Sequence, residues 1–184
     1  MPASSLSPFV RPLAGVSLLV LAACGGGGDT GTVTTAGDGA WRITPDGFGP
    51  LKVGMTVTDA ATAVGGAFTL AANATPECGY AEWAAAPAGV RVMIVRDTVV
   101  RIEVTGPGVA TAGEARVGDN EGRINSMYAG QTLIAPHKYT SGKYIIVTPP
   151  ADTMHRMVFE TDGQKVTEFR SGRMPEVEYT ERCG

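Results

Sequence analysis

Apolar residues recur every three or four positions between residues 57 and 64, which is the spacing of one face of an α-helix. Thr56 precedes this segment and is followed three residues later by Asp59, a pairing typical of the capping box that begins a helix. Gly65 and Gly66 come next, and glycine readily adopts the left-handed conformation that ends a helix. The pattern predicts a helix over residues 57–64.

Alternation with a period of two marks later segments as strands. Val100, Ile102 and Val104 alternate with polar side chains, as expected for a strand with one buried face. Asp162-Gly163 is a turn signal typical of a β-hairpin. Six strands are predicted, over residues 78–83, 90–95, 99–104, 144–148, 157–161 and 165–170.

The segment that leads into the helix occurs twice. Residues 51–56, Leu-Lys-Val-Gly-Met-Thr, correspond to residues 115–120, Ala-Arg-Val-Gly-Asp-Asn, and Asn120 takes the capping position of a second helix that ends at Gly130. Two copies of one unit predict an α+β fold of two tandem modules, each a helix packed on a small antiparallel sheet. The first module is assigned to residues 41–110 and the second to residues 111–184.

Val53-Gly54-Met55-Thr56, leading into a helix that ends at Gly65-Gly66, resembles the tandem modules of the β-lactamase inhibitor protein and of the small SmpA/OmlA-type lipoproteins of outer-membrane assembly. The resemblance covers residues 51–170 and implies a three-stranded antiparallel sheet after each helix. The second copy departs from the pattern, because Asp119-Asn120 replaces Met-Thr. No contact residue of the inhibitor is carried over to this sequence.

The N-terminal segment carries a targeting signal. An apolar run over residues 13–21 follows Arg11, and it is too short to span a bilayer, which needs about 20 residues. Leu21-Ala22-Ala23-Cys24 resembles the lipobox of bacterial lipoproteins, which implies cleavage before Cys24 and acylation of that cysteine. Residues 1–23 are then the signal peptide and residues 24–40 the lipidated cysteine and a flexible Gly/Thr tether. An ordinary signal peptide with a coincidental cysteine is the alternative.

Cys78 and Cys183 are left once Cys24 is acylated. In an oxidising compartment an even remainder of two cysteines predicts a disulfide. A free reactive thiol or a cysteine nucleophile is the alternative.

Charge and composition narrow the classes of function. The chain has 15 Lys and Arg against 18 Asp and Glu and no basic cluster, which argues against a nucleic-acid partner. Two histidines and three cysteines leave little material for a metal site, so no metal and no cofactor are predicted. His137 and His155 are candidate general bases, with a hydrogen-bonded structural role as the favoured alternative.

Two groups of residues near the C-terminal half remain. Glu176, Glu178 and Glu181 fit the solvent-exposed side of an edge strand better than a calcium site. Aromatic side chains with a polar atom are enriched in binding surfaces, and core packing is their alternative role. The candidate binding residues are Trp83, His137, Tyr139 and Tyr144.

Together these patterns predict a lipid-anchored envelope protein whose non-catalytic surface binds a protein partner as an adaptor or inhibitor. Gly25 stands where the inner-membrane retention signal has Asp, so the lipobox resemblance implies the outer membrane, with the domain facing the periplasm. The predicted partners are the membrane, through the lipid anchor, and another envelope protein; the sequence leaves the oligomeric state open. A glycan- or peptidoglycan-binding module is the second hypothesis, and a small hydrolase that uses His137 or His155 is the third.

Overall fold

The computed structural model describes residues 41–183, so the predicted signal peptide, Cys24 and the tether lie outside the described residues. Within this range the chain forms eleven strands, two α-helices and one short 3₁₀-helix. These are β1 (Ile43–Thr44), β2 (Gly47–Phe48), β3 (Leu51–Lys52), α1 (Val57–Val64), β4 (Phe68–Leu70), β5 (Gly79–Trp83), β6 (Val90–Val95), β7 (Thr98–Val104), α2 (Glu121–Met127), β8 (Thr132–Pro136), β9 (Lys143–Val147), β10 (His155–Thr161), β11 (Val166–Arg173) and the 3₁₀-helix (Glu176–Glu178).

Eight of the strands form one antiparallel sheet in the order β4-β5-β6-β7-β11-β10-β9-β8. Its centre is the pair β7 and β11, in which Glu103 lies opposite Arg170. β4 and β8, the strands that follow the two helices, form the two edges. The three short strands β1, β2 and β3 form a separate sheet, whose Ile43 adds a parallel bridge to Thr111 in the connection between β7 and α2.

The prediction of an α+β fold with two tandem modules, each a helix on its own small sheet, is wrong. The described residues are mostly β-structure, and the strands of both halves belong to one sheet because β11 pairs along β7. The predicted strand over residues 90–95 is confirmed, and the other five are displaced or extended by one to three residues at one or both ends. The patterns missed the short strands β1–β4, which have only two or three residues each, and β8, in which the adjacent Leu133 and Ile134 are both exposed and no alternation of buried and exposed positions exists.

The repeated Val-Gly segment has a structural cause. Gly54 and Gly118 both have a positive φ, +94° and +95°, a conformation that favours glycine. The Gly54 N–H donates to the Val99 carbonyl oxygen at 2.8 Å, and the Gly118 N–H donates to that of Val166 at 2.9 Å. Each glycine therefore turns the chain so that the start of a helix is fastened to the last strand of its own half.

Both helices begin where the capping pattern places them. The Thr56 side chain accepts from the Asp59 N–H at 3.1 Å, and the Asn120 side chain accepts from the Arg123 N–H at 2.8 Å. α1 ends at Gly65 in the left-handed conformation, as predicted. α2 ends at Met127, three residues before Gly130. No helix among residues 41–183 is long and apolar enough to cross a membrane.

The main core lies between the helices and one face of the large sheet. Ala60 and Val64 of α1 and Ile124 of α2 are buried in the same cluster as apolar side chains from the sheet. Sheet residues in this cluster include Val92, Ile102, Val104, Ile145, Phe159 and Phe169. Because side chains alternate along a strand, the residues between these positions point to the opposite face, which we call the open face.

Candidate functional site on the open face

Charged side chains occupy the centre of the open face. Arg101 and Glu103 lie on β7, and Arg170 lies on the neighbouring strand β11. All three are buried, with Arg101 fully inaccessible to solvent. Buried charges are costly unless they are paired and hydrogen-bonded, so their partners determine how this face is built.

A C-terminal segment of residues 174–183, which we call the strap, crosses the open face. Arg101 Nη1 donates to the carbonyl oxygens of Glu176 and Tyr179, both at 2.9 Å, and Arg170 Nε donates to that of Val177 at 2.6 Å. The Val177 side chain is fully buried in a small second core with Tyr144 and Val158. Two buried arginines thus hold the backbone of the strap.

The strap differs from the predicted edge strand. Glu176–Glu178 is a 3₁₀-helix, so the prediction that Glu176, Glu178 and Glu181 line the exposed side of a strand is wrong. Glu176 is mostly buried and pairs with Arg173 at 3.0 Å. The alternation of glutamates with Val177 and Tyr179 resembles a strand pattern, but hydrogen bonds to the buried arginines fix the backbone in another shape.

The predicted disulfide between Cys78 and Cys183 is confirmed, with an S–S distance of 2.07 Å and a Cα–Cα distance of 5.5 Å. It links the end of the strap to the residue that precedes β5. The strap is therefore held by hydrogen bonds in its middle and by a covalent bond at its end.

Glu103 is the centre of the first polar cluster on the open face. It accepts a hydrogen bond from the Tyr80 hydroxyl at 2.7 Å and pairs with Arg91 at 2.7 Å and with Arg101. Burial by itself would raise the pKa of the Glu103 carboxyl, but the nearby positive charges, that of Arg101 first, and the Tyr80 hydrogen bond outweigh burial and lower that pKa. Burial and the charge of Glu103 raise the pKa of Tyr80 to about 12.

A second polar cluster lies on the β10 side of the β7–β11 pair. Glu160 pairs with Arg170 and with His137 Nε2, the latter at 3.1 Å. Burial would raise the pKa of the Glu160 carboxyl, yet Arg170 and the hydrogen bond from His137 lower it. His137 Nδ1 accepts the N–H groups of Tyr139 and Thr140 at 3.1 and 3.2 Å. An Nδ1 that accepts leaves the ring proton on Nε2, where it is donated to Glu160.

Three of the four predicted binding residues come together beside this second cluster. The His137 and Tyr144 rings stack with centroids 4.5 Å apart, and the Tyr139 ring lies 6.3 Å from that of His137. His137 and Tyr144 are mostly buried, whereas Tyr139 is 60% exposed. The Tyr139 hydroxyl and the Lys138 ammonium both donate to the Glu181 carboxylate of the strap. We call His137, Tyr139 and Tyr144 the aromatic cluster.

Trp83 lies elsewhere. It is 3% exposed and belongs to the main core between the helices and the sheet, where its ring contacts Phe68 at a centroid distance of 5.4 Å. Its position matches the alternative of core packing. His155, the other candidate base, is the first residue of β10, and its Nδ1–H donates to the Asp152 carboxylate at 2.8 Å.

A groove of about 340 Å³ runs on the other side of the strap from the aromatic cluster. Its walls are Ala71 and Asn73 after β4, Tyr80 and Arg91 on the sheet, and Glu181, Arg182 and Cys183 on the strap. The Arg91 guanidinium lies over the Tyr80 ring, 4.5 Å from its centroid. Glu181 connects the two parts of the face, since it lines the groove and accepts from Tyr139.

Tyr80, Arg91 and the pair Arg101 and Arg170 are parts of the site that the sequence patterns did not predict. One signal was available, because Tyr80 and Tyr144 occupy matching places in the repeat, 64 residues apart like residues 51 and 115. Each of these tyrosines lies near a buried arginine and glutamate of its own half. Within residues 41–183 no group of three His, Cys, Asp or Glu side chains is placed to hold a metal ion.

Comparison with known proteins gives no family and a distant structural likeness. No family model matches the chain, and no curated protein matches it. Among solved structures the chain is similar to the uncharacterized protein yfeY from Escherichia coli, with 12% identity, a TM-score of 0.45, and coverage of 72% of this chain and 99% of that chain. A likeness at this level carries no argument about function.

Proposed function

We propose that this chain is a lipid-anchored protein of the cell envelope that binds another envelope protein through the open face, as an adaptor or inhibitor and without catalysis. The observation that supports this most is the gathering of tyrosine and arginine side chains around the strap. Tyr139 and Tyr179 are 60% and 45% exposed, and Arg91 and Arg182 border the groove. Tyrosine and arginine are the residue types enriched where protein interfaces concentrate their binding energy.

The surface around the strap is held rigidly, which favours the binding of a partner. Tyr139 is fixed by its hydroxyl bond to Glu181, and Glu181 belongs to a strap that the disulfide and two buried arginines hold in place. A surface that is ordered before binding loses little conformational entropy when a partner docks. Charges of both signs, Glu181 beside Arg91 and Arg182, suit a protein partner that presents complementary charges.

A photo-crosslinking amino acid at position 139, in cells that express the full chain, tests the proposed surface. We expect cross-links to one envelope protein, identified by mass spectrometry, and their loss in a Tyr179→Ala background. The matched control carries the crosslinker at Met154, which is 57% exposed but lies in the connection at the opposite end of β9. Equal cross-linking from both positions, or binding only to polysaccharide on a glycan array, would contradict the proposal.

The proposed anchor has a separate test. Cys24→Ser removes the sulfur that acylation requires, so labelled palmitate should no longer be incorporated and the chain should leave the membrane fraction. Ser replacement of Cys183 serves as the control, because that cysteine forms the disulfide. Palmitate incorporation that persists in Cys24→Ser would exclude this cysteine as the lipid attachment site.

A further inference from the structure

β8 is an edge strand with unusual side chains for that position. Leu133 is 64% exposed and the adjacent Ile134 is 50% exposed, and Thr132–Pro136 contains no charged residue. Edge strands are commonly protected from pairing by charged side chains, bulges or a covering segment. Leu133 lies opposite Ile146, so it belongs to the open face, and Ile134 belongs to the helix-covered face.

The hydrogen-bond pattern shows which backbone N–H and C=O groups of β8 do not bond to β9. At one end the His137 N–H donates to the Gly142 carbonyl oxygen at 3.0 Å, and at the other the Thr148 N–H donates to that of Gln131 at 2.9 Å. In an antiparallel pair the residues alternate, so odd-numbered residues of β8 bond to β9. The N–H and C=O groups of Thr132 and Ile134 therefore point away from the sheet.

We propose that β8 pairs with β8 of a second copy of this chain, antiparallel, about a two-fold axis that passes beside Leu133. In this register Thr132 of one copy exchanges both backbone hydrogen bonds with Ile134 of the other, and the reverse pair does the same. Four hydrogen bonds then satisfy every outward group of these two residues. The two Leu133 side chains face each other as a non-hydrogen-bonded pair, and the eight strands of each copy join in one continuous sheet.

The symmetry of the strand argues for a second copy as the occupant. The two outward-pointing residues lie one on each side of Leu133, so the strand is complementary to itself about that residue. Pro136, the next position that points outward, has no N–H and ends the pairing on that side. The absence of charge on Thr132–Pro136 also means that two copies meet without repulsion.

Charge substitutions at position 133 test this register. In the proposed register Leu133 lies opposite Leu133 of the second copy, so a charge introduced at this position faces the same charge. Like charges directly opposite each other are destabilising, and we therefore expect Leu133→Lys and Leu133→Asp each to weaken dimerisation of the full chain at least about tenfold. An equimolar mixture of the two variants should recover the dimer as a heterodimer. Sedimentation equilibrium with the disulfide intact measures both effects, and Leu133 is exposed enough for the variants to keep the fold.

Met154→Lys and Met154→Asp are the matched controls, because Met154 is 57% exposed and lies in the connection before β10, outside the edge strand β8. Their dimerisation should equal that of the parent chain. Three outcomes overturn the proposal: a parent chain that is monomeric at about 1 mM, a dimer unaffected by charge at position 133, and a mixture of Leu133→Lys and Leu133→Asp that fails to associate. The first outcome would leave the edge to a strand of another protein, and the last would indicate pairing with β4 of the next copy.

Discussion

Arg101 Nη1 donates to the backbone carbonyl oxygen of Glu176 at 2.9 Å, joining residues 75 positions apart in the sequence. The arginine lies in the middle of the large sheet, and the carbonyl belongs to the strap that crosses the open face. A fully buried positive charge thus organises a segment that carries the exposed residues Tyr179 and Glu181. Stability and the proposed binding surface depend on the same contacts.

Arg101→Met should destabilise the protein by about 3–5 kcal/mol, because it removes the charged partner of a buried pair with Glu103 and leaves two buried strap carbonyl groups without their donor. Denaturant-induced unfolding measures the change. Arg123→Met is the control, since Arg123 is 48% exposed and pairs with Asp119 at 3.3 Å, and it should change stability by less than about 0.5 kcal/mol. Equal losses in the two variants would contradict the organising role of Arg101.

Replacing both Cys78 and Cys183 by alanine should lower the free energy of unfolding by up to about 4–5 kcal/mol, because the disulfide closes a loop with a sequence separation of 105. Hydrogen exchange should also become faster in residues 179–183 while the amides of β7 stay protected. The control is Cys24→Ser, which leaves the disulfide in place. A double variant as stable as the parent chain would show that this loop constraint contributes nothing.

Stability should fall as the pH drops below about 4.5, the ordinary pKa of glutamate. The carboxyl groups of Glu103 and Glu160 have lowered pKa values in the folded protein, so the stability they contribute is present above the unfolded pKa and is lost as pH falls through the folded pKa. Unfolding free energies measured from pH 7 to pH 2 give the slope.

Glu103→Gln should be less stable than the parent chain at pH 7 and should show a smaller slope in the acid range, because one carboxyl group no longer takes up a proton on unfolding. Parallel curves for the two chains would mean that Glu103 does not carry the acid sensitivity.

The helix caps give a test of local stability. Thr56→Ala and Asn120→Ala should each cost about 1 kcal/mol, since each removes the acceptor for an N–H of the first helical turn. Thr56→Ser and Asn120→Asp keep an acceptor and should stay close to the parent chain in thermal unfolding. If the alanine and conservative variants unfold alike, the side-chain caps contribute nothing to stability.

Local features of the fold could be predicted from the sequence because their causes are local. Three such features are present in the structure, and each depends only on residues that are neighbours in the sequence. They are the cap at Thr56, the left-handed Gly65 and the hairpin at Asp162-Gly163. The disulfide followed from counting cysteines. The merging of the sheet could not be predicted in this way, since it depends on pairing between β7 and β11, strands that are far apart in sequence.

The residues of the candidate site likewise fall into those that the sequence could predict and those that it could not. Tyr139 and Tyr144 could be selected as aromatic residues with a polar atom, and the structure brings them together with His137. Arg101 and Glu103 show the alternation of a polar strand face, which in most sheets means exposure to water. They are buried because the strap covers them, and a covering segment that lies more than 70 residues away leaves no mark on the pattern of the strand itself.

The pairing of β11 with β7 has a consequence for how the chain is assembled. β11 comes last along the chain among the strands of residues 41–183, yet it occupies the centre of the sheet and supplies the neighbour that β7 needs. Until residues 166–173 are available, β7 presents an uncovered edge and its charges lack the strap carbonyl groups. The central strand pair can therefore form only once residues 166–173 are present. A chain that is cut before β11 would expose β7 as an unpaired edge strand, which can pair with other chains and aggregate.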